Sequence, residues 1–216
     1  MELSNTHLST PNSSSIGILI LAAGASRRMG TPKQLLLLHN QTLLERAINT
    51  ATQLDPTEIM AVLGANERLI RQSLKTPSNI SIAVNKSWDL GMGTTLQLGT
   101  QRLLEKNAAL AAILVMVCDQ PFLTVSVLTQ LIHTFEQSKN SIVAAKYDNE
   151  AIGVPALFPK FVFPKLLELK GDIGARKILK QYQSNLKTID FPKGSFDIDT
   201  PERYQALLDM WDREKI

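Results

Sequence analysis

The sequence predicts an α/β protein with one domain, in which helices cover both faces of a mostly parallel β-sheet. Short apolar runs alternate with amphipathic segments along the chain, at a spacing that suits right-handed crossover connections. The length of 216 residues and a hydrophobic content of 44% suit one core of ordinary size. We therefore expect a three-layer α/β/α domain over residues 16–216, preceded by a tail at residues 1–15.

Composition and charge narrow the classes of function. The tail is rich in Ser, Thr and Asn and has no apolar secretory core, so we expect it to be disordered. Cys118 is the single cysteine, which excludes an intramolecular disulfide and favours a reducing cytoplasm. No apolar run reaches the roughly 18 residues that span a bilayer, and a net charge of +3 is too mild to indicate a nucleic-acid surface. We expect a cytoplasmic protein with neither a membrane nor a nucleic acid as partner.

The first half of the chain alternates strands and helices. Short apolar runs bounded by loops predict buried strands at residues 16–21, 59–63 and 80–84. Between the first two, Thr42 and Glu45 form a capping-box pattern, and the apolar positions that follow share one helical face. A second helix is expected from Glu67 to about Lys75, with a break at residues 76–79.

The second half continues the pattern with one reversal. A helix is expected to begin at Thr94 or Thr95 and end near Lys106, before a nearly all-apolar strand at residues 109–118. Thr124 caps the next helix. Strands are expected at 141–146, 152–158 and 186–191, short helices around 159–169 and after Asp172, and a last helix from Thr200. Because a turn joins residues 146 and 152, we expect an antiparallel pair there, and hence a mixed, mostly parallel, Rossmann-like sheet.

A small, basic loop follows the first strand. Residues 21–34, Leu-Ala-Ala-Gly-Ala-Ser-Arg-Arg-Met-Gly-Thr-Pro-Lys-Gln, allow close approach of a ligand to the backbone and supply three cations for a polyphosphate. The spacing fits neither the Walker pattern nor the dinucleotide fingerprint. Two interpretations stay open on the residues alone: a triphosphate-binding loop, or a strand-to-helix connection with solvated cations.

Five ordered motifs resemble the molybdenum cofactor cytidylyltransferases, a branch of the MobA-like NTP transferase superfamily. The first is Leu21-Ala22-Ala23-Gly24 with Arg28-Met29-Gly30 and Lys33-Gln34. The others are Gly91-Met92-Gly93-Thr94-Thr95-Leu96, Asp119-Gln120-Pro121, Gly171-Asp172-Ile173-Gly174-Ala175-Arg176 and Asp197-Ile198-Asp199-Thr200-Pro201-Glu202. The resemblance covers residues 16–211 and implies a nucleotidyltransferase fold.

The resemblance also implies roles for individual residues. Arg28, Lys33 and Asp119 are the expected catalytic residues, with Arg28 and Lys33 on the triphosphate and Asp119 on Mg²⁺. Asp199 is the expected second metal ligand, and Asp197 is expected to support its loop. The expected nucleotide-binding residues are Leu21, Ala22, Ala23, Gly24, Arg28, Lys33, Asn85, Gly93, Thr94 and Asp119. The expected acceptor-binding residues are Gly171, Asp172, Gly174 and Arg176.

Plain structural roles compete with several of these assignments. An Asp at a strand end is commonly a turn or cap residue, and Ala22 and Ala23 also suit tight packing. Arg27 is expected to be exposed, Cys118 to be buried and unreactive, and Trp88 and Trp211 to be packing residues. His7, His39 and His133 are too scattered for a zinc site.

The function implied by the resemblance is Mg²⁺-dependent transfer of CMP from CTP to molybdopterin, with release of pyrophosphate. Ala23 favours CTP, because the related guanylyltransferases resemble Leu-Ala-Gly-Gly at this point. The product would pass to a molybdoenzyme or its chaperone. The alternatives are a sugar or polyol phosphate as acceptor, GTP as donor, and a cofactor-binding chaperone without turnover.

Overall fold

The structure is a computed structural model that describes residues 15–75 and 80–213. The strands in this part of the chain are β1 Ile16–Ala22, β2 Leu37–Leu38, β3 Gln41–Thr42, β4 Glu58–Leu63, β5 Ile80–Val84, β6 Ala112–Val117, β7 Ile142–Lys146, β8 Ile152–Pro159 and β9 Leu186–Asp190. The helices are α1 Leu43–Thr52, α2 Glu67–Ser73, α3 Met92–Lys106, α4 Val125–Glu136, α5 Phe163–Leu167, α6 Ala175–Gln181 and α7 Pro201–Arg213.

Seven of these strands form one sheet in the order β5-β4-β1-β6-β8-β7-β9. β1 pairs in parallel with β4 and β6, and β4 pairs in parallel with β5. β8 is antiparallel to both β6 and β7, while β9 is parallel to β7. The prediction of a mostly parallel sheet with one reversed strand is confirmed. Six carboxyl ends therefore meet at one edge, where ligands bind in open α/β sheets.

The central strand β1 packs against helices on both of its faces. Ile18 and Ile20 belong to a core shared with α1, α2 and α4. Leu19 and Leu21 point the other way, into a core shared with α3, α5 and α6. Because successive side chains of a strand alternate between faces, this fully apolar strand needs cover on both sides. The three-layer α/β/α prediction is confirmed.

Element boundaries differ from the predictions at a few points. A small hairpin of β2 and β3 precedes α1 and was not predicted, since two-residue strands leave no periodic pattern. α3 begins at Met92 rather than at Thr94 or Thr95, because Gly93 N donates to Gly171 O (2.8 Å) and fixes the turn earlier. α2 ends at Ser73 rather than Lys75. The expected tail before residue 15 and the expected break at 76–79 lie outside the described residues.

The predicted capping box at the start of α1 is present. Thr42 Oγ1 accepts from Glu45 N (3.1 Å), and the Glu45 carboxylate accepts from Thr42 N (2.8 Å). Within residues 15–75 and 80–213, no helix combines the length and the apolar character needed to cross a bilayer.

Candidate active site

The basic loop leaves the carboxyl end of β1 in two short 3-10 turns, Arg27–Met29 and Lys33–Leu35. Ser26 takes a left-handed backbone conformation (φ 53°), and its Oγ accepts from Lys33 N at 2.9 Å. Gly30 is also left-handed, at φ 71°. These two reversals fold the loop back on itself, so its second half returns toward β1.

Gln34 fixes the returning loop against the strand end. Its side chain is 1% exposed, and Nε2 donates to Ala22 O at 2.8 Å and to Gly24 O at 2.9 Å. A buried amide that satisfies two backbone carbonyls holds the chain in one conformation. Sequence reasoning placed Gln34 in the motif but gave it no role.

Ion pairs join the basic loop to two other segments of the chain. Lys33 Nζ donates to Asp119, which follows β6, and lies 3.2 Å from Asp199 Oδ1. Arg28 Nη2 donates to Asp199 Oδ2 at 2.7 Å. Two cations and two carboxylates therefore alternate across the edge of the sheet.

Buried neighbours hold these charged side chains in place. Met29, next to Arg28, and Ile198, next to Asp199, pack into one small core with Leu43 at the start of α1. Ile198 is fully buried. The apolar residues beside Arg28 and Asp199 thus limit the movement of charges that are themselves partly exposed.

The charge pairs shift the protonation of the site. Burial lowers the pKa of Lys33, but Asp119 attracts the ammonium strongly enough to raise that pKa well above its usual value. Partial burial raises the pKa of Asp199, and the nearby Lys33 and Arg28 more than reverse this, so the net pKa is low. Lys33 is therefore a cation and Asp199 an anion at neutral pH.

Asp197 and Cys118 differ from these charged pairs. Desolvation and the neighbouring carboxylates of Asp119 and Asp199 raise the pKa of Asp197. Burial raises the pKa of the Cys118 thiol to about 12. Because the thiolate is the nucleophilic form, Cys118 is unsuited to covalent catalysis.

A cleft of about 290 Å³ lies beside the ion pairs. It is lined by the end of β1 and its loop, by the end of β6, and by two segments from across the sheet edge. The lining residues are Leu21, Ala22, Ala23, Gly24, Lys33, Gln34, Trp88, Met92, Thr95, Val117, Cys118, Asp119 and Asp172. Met92 and Thr95 belong to the motif expected to contact the nucleotide, although neither was among the individually expected binding residues. Trp88 was expected to be a packing residue, and its place in the lining is a correction.

Residues 91–93 (Gly-Met-Gly) and residues 171–172 (Gly-Asp) form one wall of this cleft. Gly91 has a φ of 116°, and a Cβ there would collide with Asp172 Oδ1. A Cβ on Gly93 would lie 2.7 Å from Ile173 O. The two backbones touch, which requires glycine at both positions.

Asn85 and Thr94 lie behind the cleft rather than in its lining. The buried Asn85 donates through Nδ2 to Thr94 Oγ1 and Thr95 Oγ1, both at 2.9 Å. Thr94 Oγ1 also bonds to Gly91 O at 2.8 Å. These contacts orient the start of α3, and of the bonded hydroxyls only that of Thr95 belongs to a cleft-lining residue.

The expected acceptor segment is divided between two cavities. Asp172 lines the cleft described above, whereas Arg176 lines a separate cavity of about 540 Å³ with Ile152, Leu179 and Lys180. Gly171 accepts the bond from Gly93 and so connects the segment to α3. Gly174 is the N-cap of α6, and a Cβ there would lie 3.3 Å from Met92 Sδ.

The donor set suits a hard divalent cation. Asp119 and Asp199 present carboxylate oxygens to the same point, where the Lys33 ammonium now bridges them. Mg²⁺ and Mn²⁺ are commonly held by one or two carboxylates, with substrate phosphates and waters completing the shell. In the part of the chain that the structure describes, no group of three or more His, Cys, Asp or Glu side chains forms a metal cage.

Comparison with known proteins identifies a family. The model of the MobA-like NTP transferase domain matches residues 18–186. The chain is 32% identical over 200 residues to nicotine blue oxidoreductase of Paenarthrobacter nicotinovorans, covering 88% of this chain and 95% of that one. It is 31% identical over 206 residues to the purine catabolism protein PucB of Bacillus subtilis strain 168, covering 89% and 95%.

Solved structures share the fold over nearly the whole chain. Rv0371c from Mycobacterium tuberculosis H37Rv superposes with a TM-score of 0.79 at 26% identity, covering 91% of this chain and 99% of that one. A second structure of Rv0371c, a complex with manganese, gives a TM-score of 0.75 at 25% identity with the same coverage.

Proposed function

Because this chain belongs to the MobA-like NTP transferase family and is a nucleotidyltransferase, we propose that it transfers CMP from CTP to molybdopterin. The products would be molybdopterin cytosine dinucleotide and pyrophosphate, and the reaction would need Mg²⁺. The observation that carries the proposal is the joining of Arg28 and Lys33 to Asp119 and Asp199 beside one cleft. We place this reaction in the cytoplasm.

The proposed reaction is a direct displacement at the α-phosphorus of the nucleotide. An oxygen of the acceptor phosphate forms a bond to that phosphorus as the bond to the bridging oxygen of the β-phosphate breaks. The electron pair leaves with pyrophosphate, so no covalent enzyme intermediate is needed. The buried, high-pKa thiol of Cys118 agrees with that requirement.

The cations of the loop offset the charge repulsion that opposes this reaction. Two polyanions must meet, and the leaving group gains charge as it departs. Lys33 stays protonated, and Arg28 presents an exposed guanidinium with forked donors to a phosphate. A divalent metal held by Asp119 and Asp199 would supply further charge neutralisation at the phosphates.

The end of β1 is the proposed nucleobase-binding surface. Leu21, Ala22 and Ala23 line the cleft, and Gln34 holds the carbonyls of Ala22 and Gly24 in fixed positions. A fixed backbone edge can read the hydrogen-bonding groups of a base. Ala23 stands where the related guanylyltransferases resemble Leu-Ala-Gly-Gly, and this difference is the reason for proposing cytosine rather than guanine.

Arg176 and Asp172 provide two different candidates for acceptor binding. Arg176 and Lys180 outnumber Glu150 among the charged residues that line a partly apolar cavity, which suits a phosphorylated heterocycle. Asp172 lies in the nucleotide cleft itself and suits a hydroxyl or an amine. We propose that the acceptor phosphate contacts Arg176.

The direct test supplies each nucleoside triphosphate in turn with Mg²⁺ and molybdopterin, and measures pyrophosphate release and the mass of the product. We expect release with CTP at a rate at least tenfold above that with GTP or ATP, with a dinucleotide as product. Release with GTP or ATP but not CTP would overturn the base assignment. If pyrophosphate is released from CTP only when a sugar or polyol phosphate replaces molybdopterin, the acceptor assignment is wrong.

A relative named for an oxidoreductase supports a second candidate. Nicotine blue oxidoreductase is 32% identical over 88% of this chain, and its name indicates oxidation or reduction of nicotine blue. A redox reaction releases no pyrophosphate. Turnover of nicotine blue with an added electron donor or acceptor, without pyrophosphate release from any triphosphate, would favour this candidate over the first.

A further inference from the structure

A buried amide follows directly after Asp119. Gln120 is 6% exposed, and its Nε2 donates to Gly194 O at 2.8 Å and to Val154 O at 2.9 Å. Nε2 also lies 3.1 Å from the hydroxyl of Tyr147. Gln120 thus connects the end of β6 to β8 and to the turn that precedes Asp199.

Tyr147 is held in this network by two glycines. Its ring is almost completely buried and donates its hydroxyl hydrogen to Val154 O. A Cβ on Gly153 would lie 2.5 Å from the Tyr147 hydroxyl oxygen, and one on Gly194 would collide with the ring edge. The ring therefore fills a slot that only glycine leaves open on both sides.

The hydrogen bonds that Nε2 donates fix the orientation of the Gln120 amide. Oε1 is buried and has no hydrogen-bond partner among the described residues, while both carbonyls are met by Nε2. The opposite orientation would place Oε1 against two carbonyl oxygens. Only a donor at this position satisfies Val154 and Gly194 together.

The turn that contains Gly194 leads directly to Asp199. It spans Pro192–Ser195, and Ser195 Oγ donates to the Asp148 carboxylate at 2.7 Å, next to Tyr147 in the chain. Gln120 directly follows Asp119 in the chain. Its hydrogen bond to Gly194 therefore holds a segment that lies five residues before Asp199. Asp119 and Asp199 are joined through this side chain although 80 residues separate them in sequence.

Lys33 is the other connection between the two carboxylates, but it is a cation. A metal ion bound by Asp119 and Asp199 would compete with the Lys33 ammonium for the same oxygens. The Gln120 bonds involve no atom of either carboxylate, so cation binding leaves them intact.

We propose that Gln120, supported by Tyr147, is a positioning residue that sets the separation of Asp119 and Asp199 and so tunes divalent-metal affinity. The inference rests on the metal site of the proposed function. Side chains bonded directly to metal ligands change metal affinity by about 10- to 100-fold when they are replaced. Gln120 acts on the two ligands through the backbone instead, so we expect an effect at the lower end of that range.

The test is a titration with manganese alone, followed by the electron paramagnetic resonance signal of free Mn²⁺, without nucleotide or acceptor. Gln120→Met keeps the volume but removes the donor, and we expect about tenfold weaker Mn²⁺ binding. Tyr147→Phe keeps the ring in its slot and removes only the hydroxyl, so we expect a smaller loss. Circular dichroism and thermal melts establish that each variant is folded.

Gln97→Met is the matched control. Gln97 Nε2 donates to Leu167 O at 2.7 Å and joins α3 to α5, away from both carboxylates. We expect a comparable loss of thermal stability with unchanged Mn²⁺ affinity. Equal Mn²⁺ affinity in wild type, Gln120→Met and Tyr147→Phe would overturn the positioning role.

Asp119→Asn separates the two ways in which this test can fail. If Asp119→Asn abolishes Mn²⁺ binding while Gln120→Met leaves it unchanged, the metal site stands and the positioning inference falls. If Asp119→Asn binds Mn²⁺ as wild type does, or if wild type binds none, the metal site itself falls and the inference with it.

Discussion

Single residues of the basic loop differ sharply in their surroundings. Arg28 pairs with Asp199, while the adjacent Arg27 makes no ion pair in the part of the chain that the structure describes. Met29 is buried beside them at the end of the same 3-10 turn. Two neighbouring arginines of equal charge therefore have different opportunities to contact a bound triphosphate.

Replacing each arginine by alanine tests this difference. We expect Arg28→Ala to lower kcat/KM for the triphosphate by about 100-fold, because it removes a positioned donor to the phosphates. Arg27→Ala, the matched control, removes the same charge and is expected to change kcat/KM by less than about twofold. Steady-state kinetics with CTP measures both, and equal losses would show that Arg28 acts only through net charge.

The sequence alone identified the residues of the charged site but not the contacts between them. Arg28, Lys33, Asp119 and Asp199 stand in recognisable motifs. The pairing of β1 with β6 accounts for the meeting of Lys33 and Asp119, whereas Asp199 arrives through the loop after β9. Gln34 and Gln120 were passed over because an amide has no charge or periodicity to mark it. Their importance depends on contacts with carbonyls at residues 22, 24, 154 and 194, which only the fold brings near.

At the scale of elements, α1 anchors the small core that supports the charged site. Leu43 at its first position packs with Met29 and Ile198, which flank Arg28 and Asp199 in the chain. The capping box of Thr42 and Glu45 fixes where this helix begins. Burial alone would raise the pKa of Glu45. Its hydrogen bonds with Thr42 lower that pKa by a larger amount, so the net pKa lies below the ordinary glutamate value.

Removing this cap is expected to cost stability. Thr42→Ala should lower the free energy of unfolding by about 1 kcal/mol, measured by chemical denaturation at neutral pH. Thr124→Ala at the start of α4 is the matched control, because its single bond to Val127 N is long at 3.4 Å. We expect a smaller loss there, and equal losses would contradict the role given to the capping box.

The pH dependence of the cap follows from the lowered pKa of Glu45. The stabilisation is complete above the ordinary glutamate pKa of about 4.3 and is lost as the pH falls through the lower folded value. The difference between wild type and Thr42→Ala should therefore shrink in acid.

Elements with a clear period were predictable, and short irregular ones were not. The seven strands of the sheet, the reversed β8 and the Thr42 cap follow from apolar runs and cap residues. The β2–β3 hairpin is too short to show a periodic pattern, and the early start of α3 depends on the contact of Gly93 with the distant Gly171. Sequence patterns reach only a few residues along the chain, so they do not carry such contacts.

At the scale of the whole molecule, the sheet brings together charges that are far apart in sequence. The basic loop follows β1 and Asp119 follows the adjacent β6, so the cations and a carboxylate meet at one edge. The chain then returns through β9 and a short turn to place Asp199 against the same cations. We propose that this arrangement binds a metal-complexed triphosphate for attack on its α-phosphorus.

Pyrophosphate release from CTP by wild type and Asp119→Asn, with Mg²⁺ and molybdopterin, tests this claim most directly. Asp209→Asn, an exposed aspartate on α7, serves as the control for loss of one negative charge. We predict that Asp119→Asn lowers the rate by at least about 100-fold while Asp209→Asn matches wild type. Pyrophosphate release by the Asp119→Asn variant at the wild-type rate would contradict the account.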